Sequence, residues 1–270
     1  MTTSSAANTR DRDTDVLARF DDERGAGGEP SPQGDLVREY SPDGSECRVV
    51  YSSCPVERIE DIIRDEMLRA ESCQYTLEWK VYAHDTPSSL RSYLLRAGFE
   101  PDAVESVLVL SVTQEAVAAF EAPDFEIRRI YDVEGLSDVA AISRQIGRQD
   151  VEEEKQRLAA LLRDTPEELS VHVAYVDGEP VACGRTHFKP NSDFAELAGG
   201  RTKTTHRSRG LFTALVAARL REALARKRTH MFVDALPTSE PILRKRGFQL
   251  VTHTQPFVYR PSPPTQQTDR

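Results

Sequence analysis

THRSRGLFTALVAARL, Thr205 to Leu220, sets two arginines and a single glycine directly before an amphipathic run. Phe212, Leu215, Val216, Leu220, Ala223 and Leu224 recur at helical spacing, which predicts a helix over 209–226 with Gly210 at its mouth. The first amides of a helix have no partner inside it, and the aligned peptide dipoles add positive potential there. Such an end attracts phosphate. Arg207 and Arg209 would add charge to share with phosphate oxygens, and a glycine would let a bulky anion approach the backbone. Taken alone, the stretch also reads as a capped basic helix. It is not a Walker A loop, which needs Gly-Lys-Ser/Thr, nor a dinucleotide fingerprint, which needs three glycines.

The surrounding order of elements narrows the choice. Strands are expected at 48–52, 76–84 and 106–112, alternating with helices at 57–71 and 88–97, and residues 119–123 form a joint. Beyond it come a strand at 125–130, helices at 135–145 and 151–162, and strands at 170–176, 180–188 and 193–202. The helix at 209–226 follows, then a strand at 231–235, a helix at 239–246 and strands near 250 and 257–260. Asp177-Gly178 marks a tight hairpin within the three-strand run. This is an α/β (α+β) layer with mixed strand pairing. Residues 1–34, rich in Gly, Ser, Asp and Arg, are expected to be a disordered leader apart from a helical turn near 15–20. Residues 261–270, PSPPTQQTDR, are expected to be a disordered tail.

An internal repeat accompanies this order. Asp85 precedes Gly98-Phe99 by the same spacing at which Asp234 precedes Gly247-Phe248, with Leu94 and Leu243 in the same register. Residues 35–122 therefore read as a partial, degenerate copy of the second half of 123–260. The helix of the first copy opens on SSCPVERIED, with Pro55 and acidic residues in the usual self-capping arrangement. Carboxylates there would repel a phosphate, so only the second copy is expected to hold one.

Arg207-x-x-Gly210, placed after the strand DFAEL (Asp193–Leu197) and followed by SEPILRKRGF (Ser239–Phe248), resembles the GNAT superfamily of acyl-CoA-dependent N-acetyltransferases. That family carries (Q/R)-x-x-G-x-(G/A) at this loop, and Phe212 stands here where Gly or Ala is usual. The resemblance implies a GNAT-like mixed sheet over 123–260, preceded by a smaller GNAT-like half-domain. It also implies acetyl-CoA as co-substrate, with its pyrophosphate on the amides of Arg207, Ser208, Arg209, Gly210, Leu211, Phe212 and Thr213. Leu197, Ala198, Gly200 and Thr202 of the preceding strand would complete the coenzyme site, with the oxyanion donors between Leu197 and Gly200. The doublet Gly199-Gly200 suits a bulge there.

Acetyl transfer to an amine needs a base for the ammonium proton, a donor for the developing oxyanion and an acid for the leaving thiolate. Glu196 resembles the glutamate base of the histone-acetyltransferase branch. It reads equally as a strand-edge residue facing water. Many relatives place a tyrosine acid where this chain has Leu243, leaving Tyr259, His230 and Ser239 as substitutes. Neither the four cysteines nor the six histidines have metal-ligand spacing, so no metal is expected.

The formal charge of −9 over 270 residues argues against nucleic acid and anionic membranes as partners, and with them an aminoacyl transferase using charged tRNA. No apolar run is long enough to span a bilayer, and the N-terminus lacks a signal-peptide core, so a cytoplasmic protein is expected. The acceptor would be a small-molecule or peptide amine, and the paired copies would make the chain a monomer or a pseudo-dimer in one chain. A non-catalytic acyl-CoA-binding protein of the same fold is the alternative.

Overall fold

A computed structural model describes residues 4–120 and 122–262. Along the chain these form α1 (Ser4–Ala26), β1 (Glu29–Pro30), β2 (Leu36–Tyr40), β3 (Glu46–Ser52), α2 (Ile59–Cys73), β4 (Thr76–Tyr82), α3 (Leu90–Arg96), β5 (Glu100–Pro101) and β6 (Glu105–Ser111). Then follow α4 (Gln114–Ala118), β7 (Glu126–Ile130), α5 (Leu136–Gln145), α6 (Val151–Asp164), β8 (Leu169–Val176), β9 (Glu179–His187) and β10 (Phe194–Thr202). The series closes with α7 (Leu211–Ala225), β11 (His230–Ala235), α8 (Glu240–Arg244) and β12 (Gln249–Tyr259). No helix among the described residues is long and apolar enough to cross a membrane.

The chain forms two compact units, of which the first is made of two separate segments. One comprises the residues up to Glu105 together with those from Val251 onward; the other is Ser106–Leu250. This differs from contiguous blocks at 35–122 and 123–260. β6, which precedes the expected joint, pairs antiparallel with β11 in the second unit, and β12, at the end of the chain, pairs antiparallel with β4 in the first. Sequence shows which residues make strands, but not which strand they pair with.

In the first unit the strands run β1-β2-β3-β4-β12, with β5 also on β12. β3 and β4 are parallel, paired from Glu46↔Thr76 to Val49↔Trp79. Ile59, Ile63, Leu77, Trp79, Leu94 and Phe257 belong to its core cluster. The expected leader is instead the helix α1, and a strand, β2, follows it. Phe20 is buried against the edge of Tyr82. The Arg24 guanidinium lies 3.5 Å from the centre of the same ring and donates to Val50 O and Asp85. Two residues thus give an otherwise polar helix its footing. The residues of the expected tail from 263 onward lie outside the described residues.

In the second unit the order is β6-β11-β10-β9-β8-β7, a mixed sheet in which only β10 and β11 are parallel. The hairpin at Asp177-Gly178 forms as expected: both residues have positive φ, 52° and 79°, and Val176 pairs with Glu179. α5 and α6 pack with β8 and β9 in one cluster. α7 packs on the opposite face and is buried around most of its circumference rather than along one stripe. It contacts strands β8–β10 and also α4.

The repeat is real in the backbone. In both units a parallel strand pair leads to a short helix, α3 or α8, that ends on glycine at φ 94° or 101°. Phe99 N–H then donates to Leu94 O and Phe248 N–H to Leu243 O, with all four side chains buried.

Candidate functional site

β10 pairs with β11 only over Phe194–Glu196, opposite His230–Phe232. β11 continues along β6 to Ala235, while β10 continues along β9 to Thr202. The two parallel strands therefore part after Glu196, and the backbone from Leu197 onward borders a gap. A register shift between Ala198 and Arg201 marks the expected bulge. Gly199 carries it at φ +60°, and a Cβ there would stand 2.4 Å from the Arg185 guanidinium.

The bulge is braced by a buried charge cluster. Arg201 donates to Ser143 Oγ (2.6 Å) and through both terminal nitrogens to Glu154 on α6 (2.5 and 2.6 Å), and Arg185 donates to the same carboxylate (2.9 Å). Burial alone would raise the Glu154 carboxyl, but hydrogen bonding and charge from Arg201, with the charge of Arg185, hold it below its ordinary value.

Glu196 is half-buried. Its neighbours Ala195 and Leu197 join the core cluster containing Val216 and Leu220 of α7, so alternation puts Glu196 on the opposite face. Its cross-strand partners are His187 on β9 and Phe232 on β11. Phe194, on the same face, stacks on His230 with ring centres 5.1 Å apart and meets Phe232 edge-on. Arg185 Nε donates to His187 Nε2 at 3.2 Å. No signal in the sequence fixes the register of β9 against β10, so these neighbours were not legible there.

Beyond Thr202 the chain makes a single 3-10 turn, Thr204–His206, and reaches α7 through Ser208 and Gly210, both in the left-handed region at φ +60° and +93°. Arg207, Ser208 and Arg209 are exposed, and Arg207 Nε reaches Thr202 O at 3.4 Å. α7 has no side-chain cap and no acidic residue in its first turn. Its first amides and two guanidinium side chains thus form a cationic end. Leu211 and Thr213 are buried, so they could serve a ligand only through their backbone.

Gly210 also has a reason within the fold. A Cβ there would point at Pro123 (3.2 Å to Cδ) and Phe125 (3.7 Å). Glycine is required by the left-handed turn and by this packing.

The first unit cannot offer the same site. Past Val49 and Trp79, the indole N–H of Trp79 donates to Ser52 Oγ across the parting strands (3.3 Å), and Arg24 donates to Val50 O (2.9 Å). Its following helix begins after Pro55 with Glu57, Glu60 and Asp61 in the opening turns.

Leu243, standing where a tyrosine acid is usual, is fully buried in the core. Tyr259 belongs to the first unit, where its hydroxyl donates to Glu71 at 2.6 Å. Ser239 Oγ donates to Leu236 O. Of the three substitutes, His230 lies on the same sheet face as Glu196, opposite Phe194. Cys183 is buried, and burial pushes its thiol up to about 11, so it is no ready nucleophile. Among the described residues no group of three or more His, Cys, Asp or Glu is placed to hold a metal ion.

Residues 136–248 match the model of the Acetyltransferase (GNAT) family. The matched segment contains the loop and strand on which the sequence motif resembled that family. The fold is also similar to that of a GCN5-related N-acetyltransferase from Kribbella flavida (TM-score 0.60, 15% identity, 85% of this chain and 88% of that one). A tandem GNAT protein from the clavulanic acid biosynthesis pathway is similar as well (TM-score 0.58, 13% identity, 81% and 76%). So is a functionally unknown conserved protein from Staphylococcus epidermidis (TM-score 0.61, 13% identity, 81% and 86%). No curated protein matches the sequence.

Proposed function

We propose that the second unit is an N-acetyltransferase domain that moves an acetyl group directly from acetyl-CoA to the amine of a small molecule or peptide. One observation carries this reading: the strand gap beyond Glu196 and the cationic start of α7 are joined by a few residues, Leu197 to Gly210. A ligand with phosphates at one end and a narrow reactive chain at the other fits that continuity.

Acetyl-CoA supplies the thioester and a thiolate leaving group; the remaining work falls to the chain. Arg207 and Arg209, with the backbone amides from Ser208 to Thr213, hold the pyrophosphate. The backbone of Leu197, Ala198 and Gly200 borders the gap and supplies N–H donors where negative charge develops on the carbonyl oxygen. Thr202, whose carbonyl already engages Arg207, orients the loop. Glu196 takes the ammonium proton, so that the amine attacks as a free base. The half-buried, aromatic setting of Glu196 among Phe194, Phe232, His187 and His230 keeps bulk water from competing for that proton.

The alternative, an acyl-CoA-binding protein without turnover, is favoured by the missing tyrosine: Leu243 is sealed in the core. Calorimetric titration with acetyl-CoA separates both readings from a mere helix cap. Micromolar binding, about −8 kcal/mol, should weaken at least tenfold in Arg207→Glu/Arg209→Glu, whose side chains are exposed and whose fold is therefore preserved. Glu196→Gln should then retain binding and lose turnover across an amine panel. Binding without turnover by wild type would favour the alternative; no binding by folded protein would sink both.

A further inference from the structure

The cross-strand neighbour of Glu196 is itself held from behind. Arg185 and His187 lie two residues apart on β9, so both side chains stand on one face of the sheet. His187 is the partner of Glu196 across the β9–β10 pair, and Arg185 is the partner of Ala198, at the edge of the bulge. Side chains opposed in this way have Cβ atoms about 5 Å apart, close enough for a hydrogen bond between their ends.

Arg185 Nε donates to His187 Nε2 at 3.2 Å, while a terminal nitrogen of Arg185 donates to Glu154 at 2.9 Å. A guanidinium offers donors only, so Nε2 is the acceptor in this contact. An imidazole that accepts at Nε2 is neutral and carries its single proton on Nδ1. Protonating Nε2 would break the bond and set two cations against each other.

The elements packed around His187 supply few other charges. β8 places Leu169 opposite it. The buried residues of α5, the helix over β9, are Leu136, Val139, Ala140, Ile142 and Ser143, none of them charged. α6 supplies Glu154, a carboxylate shared between Arg201 and Arg185. On the far side of β10, His230 of β11 stacks on Phe194. Glu196 is the carboxylate set directly across the strands from the imidazole.

We propose that Arg185 is a positioning residue for the base, an inference that rests on the reading of Glu196 as that base. Arg185 keeps His187 neutral, and the Nδ1–H of His187 donates to one carboxylate oxygen of Glu196. The other oxygen is left for the amine. No proton travels from Glu154 through Arg185 and His187: the ammonium proton passes to Glu196, and His187 keeps its own. The charge state matters because an imidazolium beside Glu196 would stabilise the carboxylate and make it a weaker base.

Nitrogen-15 NMR of the imidazoles in the full chain tests this, with His187→Gln marking which signals belong to His187. At pH 7 wild type should carry a proton on Nδ1 and none on Nε2, and His187 should stay neutral down to about pH 5.5. Arg185→Met removes the donor, keeps an apolar stem and leaves Glu154 to Arg201. In that variant His187 should titrate at about pH 6.5. Relative to wild type, its turnover should halve at about that pH and fall about tenfold by about pH 5.5. Arg185→Lys keeps the charge but has no donor at the Nε position. It should also lose the Nδ1–H preference, and it covers the case in which the methionine variant does not fold. A proton on Nε2 of wild-type His187 at pH 7 overturns the proposal. So does a wild-type titration of His187, or a wild-type pH profile of turnover, in the folded variants. Failure of wild type to acetylate any amine sinks the transferase reading itself, whatever the tautomer, and the role of Arg185 goes with it.

Discussion

Acid should weaken the second unit through one buried imidazole, His172 on β8. Ser170 Oγ donates to Glu222 Oε2 at 2.5 Å, and His172 Nε2 lies 3.7 Å from the same oxygen. Arg226 and Arg129 engage the other oxygen at 2.6 and 3.1 Å. Burial, with the charges of Arg219, Arg129 and Arg226, outweighs the attraction of Glu222 and lowers His172 from 6.5 to about 4. A folded-state pKa below the unfolded one means the unfolded chain binds the proton more readily. The stability is therefore complete above pH 6.5 and is lost as pH falls from 6.5 to 4. Between pH 7 and 4.5 this one group accounts for about 2 to 3 kcal/mol, equivalent to roughly 1 M in a urea midpoint. Other carboxylates titrate in that range too, so the measurement is the difference between wild type and His172→Gln, followed by far-UV circular dichroism in urea. The variant should show the shallower pH dependence, with the two curves converging toward pH 4.5. Parallel curves from pH 7 to 4.5 would refute the assignment.

Three further outcomes follow from the packing. Arg38→Met should cost about 3–5 kcal/mol, because Glu66, hydrogen-bonded to it at 2.7 and 2.5 Å and equally buried, is left as an unpaired charge. Arg38→Met/Glu66→Leu should recover most of that loss in the same urea titration. Gly98→Ala should cost about 1–2 kcal/mol from the left-handed backbone alone, since a Cβ there meets nothing within 4 Å. The sole tryptophan, Trp79, is in the first unit, and its fluorescence should report that shift. Leu243→Tyr should not raise acetyl transfer to any amine tested, and it should lower the thermal midpoint by overpacking a fully buried position, about 1–3 kcal/mol.

The parts legible in the sequence are those whose signal is local. The helix at 209–226, the Asp-Gly hairpin and the two Gly-Phe corners each depend on periodicity or turn chemistry within a dozen residues, and each forms. α1 was missed because its polar composition resembles that of a disordered segment, while its footing comes from Phe20 and Arg24 meeting residues far along the chain. β2 escaped for a similar reason: LVREY is short, and its partner β3 settles its fate. The packing reason for Gly210 was not legible because Pro123, which occupies the space beside it, is distant in sequence. Glu196 was singled out from its strand position, but the His187, Phe194, His230 and Phe232 surroundings depend on register and aromatic stacking that only the fold provides.

The interleaving of the two units bears on how a ribosome delivers the protein. The first unit has all its residues through Glu105 early, yet its β12 strand emerges about 150 residues later. At ordinary elongation rates that is a wait of roughly 7 to 30 s. Throughout it, one edge of β4 lacks its native neighbour, and an exposed strand edge of this kind invites pairing with other chains. The nascent chain should therefore need shielding while it is made, and a truncation anywhere before Tyr259 should harm the half of the protein that was synthesised first.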